Sequence, residues 1–180
     1  MRNQPLDEEE WGIGEPESRE ELEARYQRAL NAAGRQLSYR ALSEAALRDK
    51  LLEKGHAEDA AEYAIAWLLE RGLLNDMELA EASVRSYIRK GYGYRRIRQE
   101  LRHRGIPADV AAQVMEGYSE DTGQMVKLLE KRLRGDLSDR KEVQKAVAAL
   151  QRRGFRWGDI RRALDDYGAQ LDEETEEPFE

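Results

Sequence analysis

The chain has 180 residues, is 40% hydrophobic and 37% charged, and contains 14 Gly, 4 Pro and no Cys. This composition excludes collagen-like and wholly disordered chains, and the lack of cysteine excludes disulfides, thiol nucleophiles and zinc–thiolate sites. The sequence has no run of about 18 apolar residues, and its N-terminus leads into acidic residues rather than an apolar signal. We therefore expect no membrane association and predict a cytoplasmic protein.

The formal net charge of −7 is distributed unevenly along the chain. Residues 1–23 carry a net charge of −7 and residues 169–180 a net charge of −6, whereas residues 24–168 carry +6. Because blocks of like charge repel and stay unfolded, we predict an acidic disordered leader over 1–19 and an acidic disordered tail over 169–180. An alternative role for both ends is to shield the basic body, or to compete with phosphates for it.

Apolar residues recur with helical spacing between Glu20 and Tyr167, and no stretch keeps a period of two, so we predict an all-α fold. Capping residues and Pro predict where helices begin, and Gly predicts where they end. The predicted starts, in chain order, are Ser18, Ser43, about Ala57, Asn75–Asp76, about Tyr94, Pro107, Ser119 and Ser138, followed by a ninth helix marked by Ile160, Leu164 and Tyr167. On the second helix, the predicted apolar stripe is Leu47, Leu51 and Leu52.

Three of the predicted helices end in a leucine-rich turn followed by a base and a glycine. These glycines, Gly55, Gly105 and Gly154, are 50 and 49 residues apart. A period that holds to one residue indicates tandem modules, each too small to bury its faces without its neighbours. We predict three tandem three-helix repeats, at 20–74, 75–118 and 119–168, that form an elongated, curved helical array.

No catalytic constellation is apparent in the sequence. The segment Gly91-Tyr92-Gly93 lacks the later glycine of a dinucleotide loop, and no Gly-Lys-Ser/Thr follows it. The two histidines, His56 and His103, lie far apart, and neighbouring acids on a helix diverge. Metal-ligand spacing is also missing. We therefore expect no enzymatic activity, no cofactor and no metal.

The strongest local signal is a basic segment, residues 85–104, with a net charge of +7 and the single acid Glu100. The planar guanidinium of arginine pairs bidentately with carboxylates or phosphates, so we predict a surface that docks phosphates or an acidic protein groove. The alternative is a solvated helix face whose bases pair with acids of the same chain. We expect Glu100 to pair with Arg96 or Arg104.

The candidate contact residues are Arg85, Arg89, Lys90, Arg95, Arg96, Arg98, Arg102 and Arg104, together with Arg152, Arg153, Arg156, Arg161 and Arg162 of the third module. Tyr92 and Tyr94 lie at the turn between the two basic helices. We interpret them first as packing for that turn and second as platforms on which bases stack.

Four segments of the central region match a known pattern: LLNDMELA at 73–80, Val84-Arg85, KGYGYRRIRQEL at 90–101 and RGI at 104–106. They resemble the central signature of the RecX family. Matches within residues 42–55 fit the first module of that family, and Gly154-Phe155 with Ile160 and Leu164 fits its third, so the resemblance spans about residues 28–168. Tyr94 stands where the family commonly has proline, which would stiffen this turn.

The resemblance implies a regulator of the bacterial recombinase RecA, built of tandem three-helix repeats. Such proteins bind along the groove of the RecA–DNA filament and inhibit ATP hydrolysis and strand exchange, by blocking filament growth or promoting disassembly. The resemblance also implies weak binding to single- or double-stranded DNA and no cofactor, and we expect a monomer. Two alternatives stay open: a DNA-binding module like a helix-turn-helix array, and a helical-repeat adaptor for another protein.

Overall fold

The computed structural model describes residues 17–176, with the side chains of the last helix described through Leu171. Within that range the chain forms nine α-helices and no strand, which confirms the predicted all-α class. The helices are α1 Arg19–Tyr39, α2 Glu44–Glu53, α3 Glu58–Glu70, α4 Asp76–Arg89, α5 Tyr94–His103, α6 Ala108–Val114, α7 Thr122–Leu133, α8 Arg140–Arg152 and α9 Trp157–Glu176.

The helices pack in three consecutive groups of three, α1–α3, α4–α6 and α7–α9, which we call modules 1, 2 and 3. This grouping confirms the predicted tandem repeat. Each module has its own buried apolar cluster, in which the equivalent leucines Leu51, Leu101 and Leu150 are almost fully buried. The clusters are separate, contrary to the expectation that a module buries its apolar faces only with its neighbours. Instead, neighbouring modules contact each other through turns and helix ends.

Several helix starts lie at the predicted capping residues. Ser18 forms a capping box with Glu21 at the start of α1, the Ser43 hydroxyl accepts the N–H of Ala46 in α2, and the Asn75 side chain caps α4. Each of these oxygens satisfies backbone N–H groups that have no partner within the helix.

Two predicted caps are wrong, by two residues and by one residue, because an aspartate takes the place of the predicted serine. Helix α7 is capped by Asp121 rather than Ser119, and α8 by Asp139 rather than Ser138. A carboxylate both accepts the free N–H groups and complements the positive end of the helix dipole. The backbone N–H and hydroxyl of Ser138 instead donate to the carboxylate of Asp136.

The predicted disordered tail is wrong for residues 169–176, because α9 continues to Glu176. Leu171 packs against the apolar cluster of module 3 and anchors the added helical turns. Of the predicted leader, residues 1–16 lie outside the described part of the chain, as do residues 177–180 of the tail. Glu17 forms an ion pair of 3.0 Å with Arg25, and α1 begins at Arg19.

Module 2 contacts module 1 through the turn that follows α5. The Ser43 hydroxyl, at the start of α2, donates to the carbonyl of Arg104 at 2.6 Å. The turn approaches closely because Gly105 has no side chain: a Cβ at this position would lie 2.8 Å from Ser43 Oγ. We call this contact the first junction.

Module 3 contacts module 2 in the equivalent way, through the turn that follows α8. At the start of α5, the N–H groups of Gly93 and Arg95 donate to the carbonyls of Arg153 and Gly154, each at 2.9 Å. A Cβ at Gly154 would lie 2.3 Å from the backbone nitrogen of Arg96. Its φ of 91° also lies in the left-handed region that side chains disfavour. We call this contact the second junction.

Candidate functional site

Helices α5 and α6 of module 2 form a groove of about 390 Å³. Three arginines of α5, Arg95, Arg98 and Arg102, line one wall. Their spacing of three and four residues places them on one face of the helix, while the fully buried Ile97 and Leu101 fix another face in the core of the module. The rest of the lining is Tyr94, Gln99, Ile106, Ala108 and Ala111.

The three groove arginines carry unneutralised charge. All three are exposed, and none forms an ion pair with a carboxylate in the part of the chain that the structure describes. The Arg98 guanidinium lies 5.7 Å from the centre of the Tyr94 ring, which orients it by a cation–π contact. Unpaired guanidinium groups on one wall create a positive local potential and can bind carboxylates or phosphates bidentately. The structure therefore brings together three of the predicted contact residues.

Three other predicted contact residues are paired with acids of the same chain. The pair with Glu100 confirms the expectation for that residue. All three pairs match the alternative in which bases on a helix face pair with acids of the same chain. The Arg85–Glu81 pair is exposed on both sides and contributes little stability, whereas the side chains of Glu100 and Asp159 are only 18% and 10% exposed. All three pairs lower the charge available to a partner. The pairs are Arg85 with Glu81 (3.4 Å), Arg96 with Glu100 (2.6 Å) and Arg162 with Asp159.

Two predicted contact residues of module 3 belong to the second junction. The Arg153 guanidinium donates to the carbonyls of Lys90 and Gly91, at 3.4 and 3.3 Å. The Arg156 guanidinium lies 3.6 Å from the centre of the Tyr94 ring. Both side chains therefore hold module 3 against the end of α4 and the start of α5.

The two predicted stacking residues pack against other rings. Tyr92 lies 5.8 Å from Tyr87, and Tyr94 lies 5.9 Å from Tyr118, between ring centres. Both are half-buried, which favours the first interpretation, packing of the turn. Their stacking on bases stays a prediction.

The remaining candidates lie outside the groove lining. Lys90 lies 5.2 Å from the Tyr87 ring, and Arg104 donates its Nε–H to the Tyr87 hydroxyl at 3.3 Å. The other three are exposed and form no ion pair among the described residues: Arg89, Arg152 and Arg161.

Two half-buried carboxylates at the junctions were missed by the sequence reasoning. Asp76 accepts the N–H of Glu44, and Glu120 accepts the N–H of Tyr94, each at 2.9 Å. Glu44 and Tyr94 are the first residues of α2 and α5, so the two contacts are equivalent. The sequence carries no distinct signal for these carboxylates; only the residues before the two helices, Ser43 and Gly93, share a spacing, since each lies 12 residues before a turn glycine.

Burial sets the electrostatics of these carboxylates. Desolvation raises the pKa of Asp76 and of Glu120 above the ordinary range, and the N–H groups that they accept oppose this effect only in part. Burial also raises the pKa of the Tyr118 hydroxyl, which donates to Glu120 at 3.1 Å. The junctions therefore hold charged groups at an energetic cost.

Among the side chains described, those of residues 17–171, no group of three or more His, Cys, Asp or Glu is placed to hold a metal ion. Within residues 17–176, no helix combines the length and apolar character needed to cross a membrane.

The described features define a tandem helical-repeat protein with a basic groove on its middle module. Family models for the three successive three-helix domains of RecX match residues 29–68, 75–115 and 120–164. Regulatory protein RecX of Vibrio parahaemolyticus is 39% identical over 66% of this chain and 77% of its own length. That of Halorhodospira halophila is 36% identical over 81% of this chain and 89% of its own length.

A crystal structure of RecX from Lactobacillus salivarius has a similar fold. It superposes with a TM-score of 0.76 at 25% sequence identity, over 82% of this chain and 99% of that one. Together with the family models and the sequence relatives, this similarity settles the family. The chain belongs to the RecX family of regulatory proteins.

Proposed function

We propose that this chain regulates homologous recombination and DNA repair by binding the filament that RecA forms on DNA. In this proposal it inhibits RecA ATPase activity and strand exchange, by blocking filament growth or promoting disassembly. It acts as a monomer in the cytoplasm, without a cofactor or a reaction of its own. Membership of a regulatory family supports the proposal, and one structural observation carries it: the groove with three arginines that form no ion pair with a carboxylate of the described residues.

The chemistry of the groove suits such a filament. A nucleoprotein filament presents DNA phosphates and acidic side chains, and both accept bidentate hydrogen bonds from arginine. Since Arg95, Arg98 and Arg102 have no ion-pair partner in the described part of the chain, they can bind such groups without first breaking a pair. Three linked modules can also contact neighbouring filament subunits, so weak contacts combine through high effective concentration.

A RecA ATPase assay on single-stranded DNA, with this protein titrated in, tests the proposal. We expect the triple variant Arg95→Glu, Arg98→Glu, Arg102→Glu to need at least about tenfold more protein for half-maximal inhibition, since interface residues of this type often contribute more than about 1.4 kcal/mol in total. Inhibition far below one chain per RecA subunit would favour blocked filament growth.

The control is a second triple reversal, Arg28→Glu, Arg35→Glu, Arg140→Glu, at exposed positions outside the groove. It changes the net charge equally and should inhibit like the wild type. If the groove variant keeps its fold by circular dichroism and inhibits fully, the groove is only a solvated surface.

The same unpaired arginines favour a second function, binding to bare DNA. In that case, duplex DNA alone should bind tightly, and the affinity should fall steeply as salt rises. Affinity that is found only when RecA is present would reject this alternative.

A further inference from the structure

Each module has a turn after its second helix, and the three turns have the same pair of backbone hydrogen bonds. In module 1, the N–H of Gly55 donates to the Leu52 carbonyl at 2.8 Å, and the N–H of His56 donates to the Leu51 carbonyl at 3.1 Å. Equivalent pairs follow α5 and α8, with positive φ at each glycine. The three turns therefore have one backbone structure at equivalent positions of the repeat; the same bonds also follow α3, at Gly72, and α4, at Gly91.

Two of the three turns bind the N-terminus of a helix. The turn after α5 binds the start of α2, through the Arg104 carbonyl and the Ser43 hydroxyl. The turn after α8 binds the start of α5, through two carbonyls that accept N–H groups. Such a contact joins the negative end of one helix to the positive end of another. In both cases the residue before the bound helix is small, Ser or Gly.

The turn of module 1 has no such occupant among the described residues. No heavy atom lies within 4 Å of the position that a Cβ at Gly55 would take, and the carbonyls of Lys54 and Gly55 accept no hydrogen bond there. Leu52, expected on the buried stripe, is 40% exposed beside this turn. Modules 2 and 3 have polar residues, Arg102 and Gln151, at the equivalent position.

We infer that residues 52–56 form a docking surface for the N-terminus of an α-helix of a RecA subunit, a helix preceded by a small residue such as Ser or Gly. The choice of RecA rests on the function proposed above. The free carbonyls would accept the first N–H groups of that helix, Gly55 would leave room for its backbone, and Leu52 would cover its first turn. The surface thus repeats, between two proteins, the contact that joins the modules of this chain.

The second helices of a second copy fit this surface poorly, and the Ser18 hydroxyl before α1 already donates to the Glu21 carboxylate at 2.8 Å. The starts of α2 and α5 are already bound at the two junctions. The start of α8 differs from those of α2 and α5. This helix has 13 residues rather than 10, and the residue before it is Asp139 rather than a small residue. The Asp139 carboxylate already accepts the N–H groups of Lys141 and Glu142, and an ionised carboxylate would repel the turn carbonyls.

The test compares Gly55→Asn with Gly72→Asn in the full chain, by RecA ATPase inhibition and by co-sedimentation with the RecA filament on single-stranded DNA. Asn tolerates a positive φ, and both glycines lie in open turns of module 1 with nothing within 4 Å of a Cβ. We expect Gly55→Asn to need about tenfold more protein for half-maximal inhibition and Gly72→Asn to match the wild type. Leu52→Gln should weaken inhibition, and Leu69→Gln, at a position with 42% exposure, should not.

Each other result overturns the inference in a different way. Full inhibition by Gly55→Asn would show that residues 52–56 are not a docking surface, and it would leave the proposed function intact. Equal losses in both glycine variants would trace the effect to the stability of module 1. Self-association of the wild type that Gly55→Asn abolishes, seen by analytical ultracentrifugation, would assign the surface to a second copy. A wild-type protein without effect on RecA would overturn the proposed function, and this inference with it.

Discussion

The first and second junctions use the same two elements, a glycine turn and the start of a helix, but different atoms. At the first junction the nearest approach is made by a side chain, the Ser43 hydroxyl, to the Arg104 carbonyl. At the second junction the main chains bond directly, through Gly93 and Arg95 to Arg153 and Gly154. Main-chain contact requires a closer approach, so the second junction tolerates less added volume.

The difference also extends to the surrounding side chains. At the second junction, Arg153 donates to two carbonyls of module 2, and Arg156 covers the Tyr94 ring. The groove arginines are on α5, the helix whose start this junction fixes. The second junction therefore fixes the N-terminal end of the groove helix, whereas the first junction contacts the C-terminal end of that helix through the Arg104 carbonyl.

The largest expected effect is that of Gly154→Ala. A Cβ there would meet backbone atoms of Arg96, which cannot move without shifting α5, and the positive φ adds strain. We expect a loss of about 3 kcal/mol in the free energy of unfolding, measured by urea denaturation. Gly105→Ala should lose clearly less, because its nearest neighbour is the Ser43 hydroxyl. Equal losses would contradict the comparison between the junctions.

Ser43→Ala should have an intermediate effect. It removes both the cap that accepts the Ala46 N–H and the hydrogen bond to the Arg104 carbonyl. We expect a loss of about 1.5 kcal/mol in the free energy of unfolding. Ser18→Ala is the matched control, since Ser18 caps α1 on the surface and has no hydrogen bond to another module. If both variants lose the same amount, the hydroxyl bond across the first junction contributes nothing.

The smallest expected effect is that of Glu120→Gln, and it depends on pH. Burial raises the pKa of Glu120 in the folded state. Between the unfolded-state pKa and this higher value, the folded chain holds a proton that the unfolded chain has lost, so stability increases as the pH falls through the raised pKa. Glutamine keeps an oxygen for the Tyr94 N–H without the charge.

We therefore expect Glu120→Gln to be at least as stable as the wild type at pH 7. That difference, a few tenths of a kcal/mol, should shrink as the pH falls toward the ordinary pKa of a glutamate. Thermal unfolding at pH 7, 6 and 5 measures it. A variant that is much less stable at pH 7 would mean that the charge itself stabilises the second junction.

The repeat and the arginine stripe were predictable because both are periodic in the sequence. The glycines at 55, 105 and 154 predict the three turns, and the spacing of Arg95, Arg98 and Arg102 predicts one face of α5. The opposite wall of the groove was not predictable, since it depends on how α6 packs. Leu171 follows Leu164 and Tyr167 at helical spacing, so the extension of α9 was detectable beneath the acidic composition.

The partners of the turns were not predictable, because hydrogen bonds between backbone atoms leave no side-chain signature. Arg153 illustrates this point: in the sequence it is one more base beside a glycine, whereas in the structure it donates to the end of α4. Likewise, Asp76 and Glu120 resemble ordinary surface acids until the neighbouring module buries them.

The main-chain bonds of the second junction have a consequence for evolution. Every residue except proline supplies the N–H groups that Gly93 and Arg95 donate, and every residue supplies the carbonyl groups that accept them. Point mutations at most of the flanking positions therefore leave the hydrogen bonds between the two modules in place. As far as the main-chain bonds are concerned, purifying selection would fall chiefly on the glycines that let the two backbones meet, beside the side chains of Arg153 and Arg156 that also hold this contact.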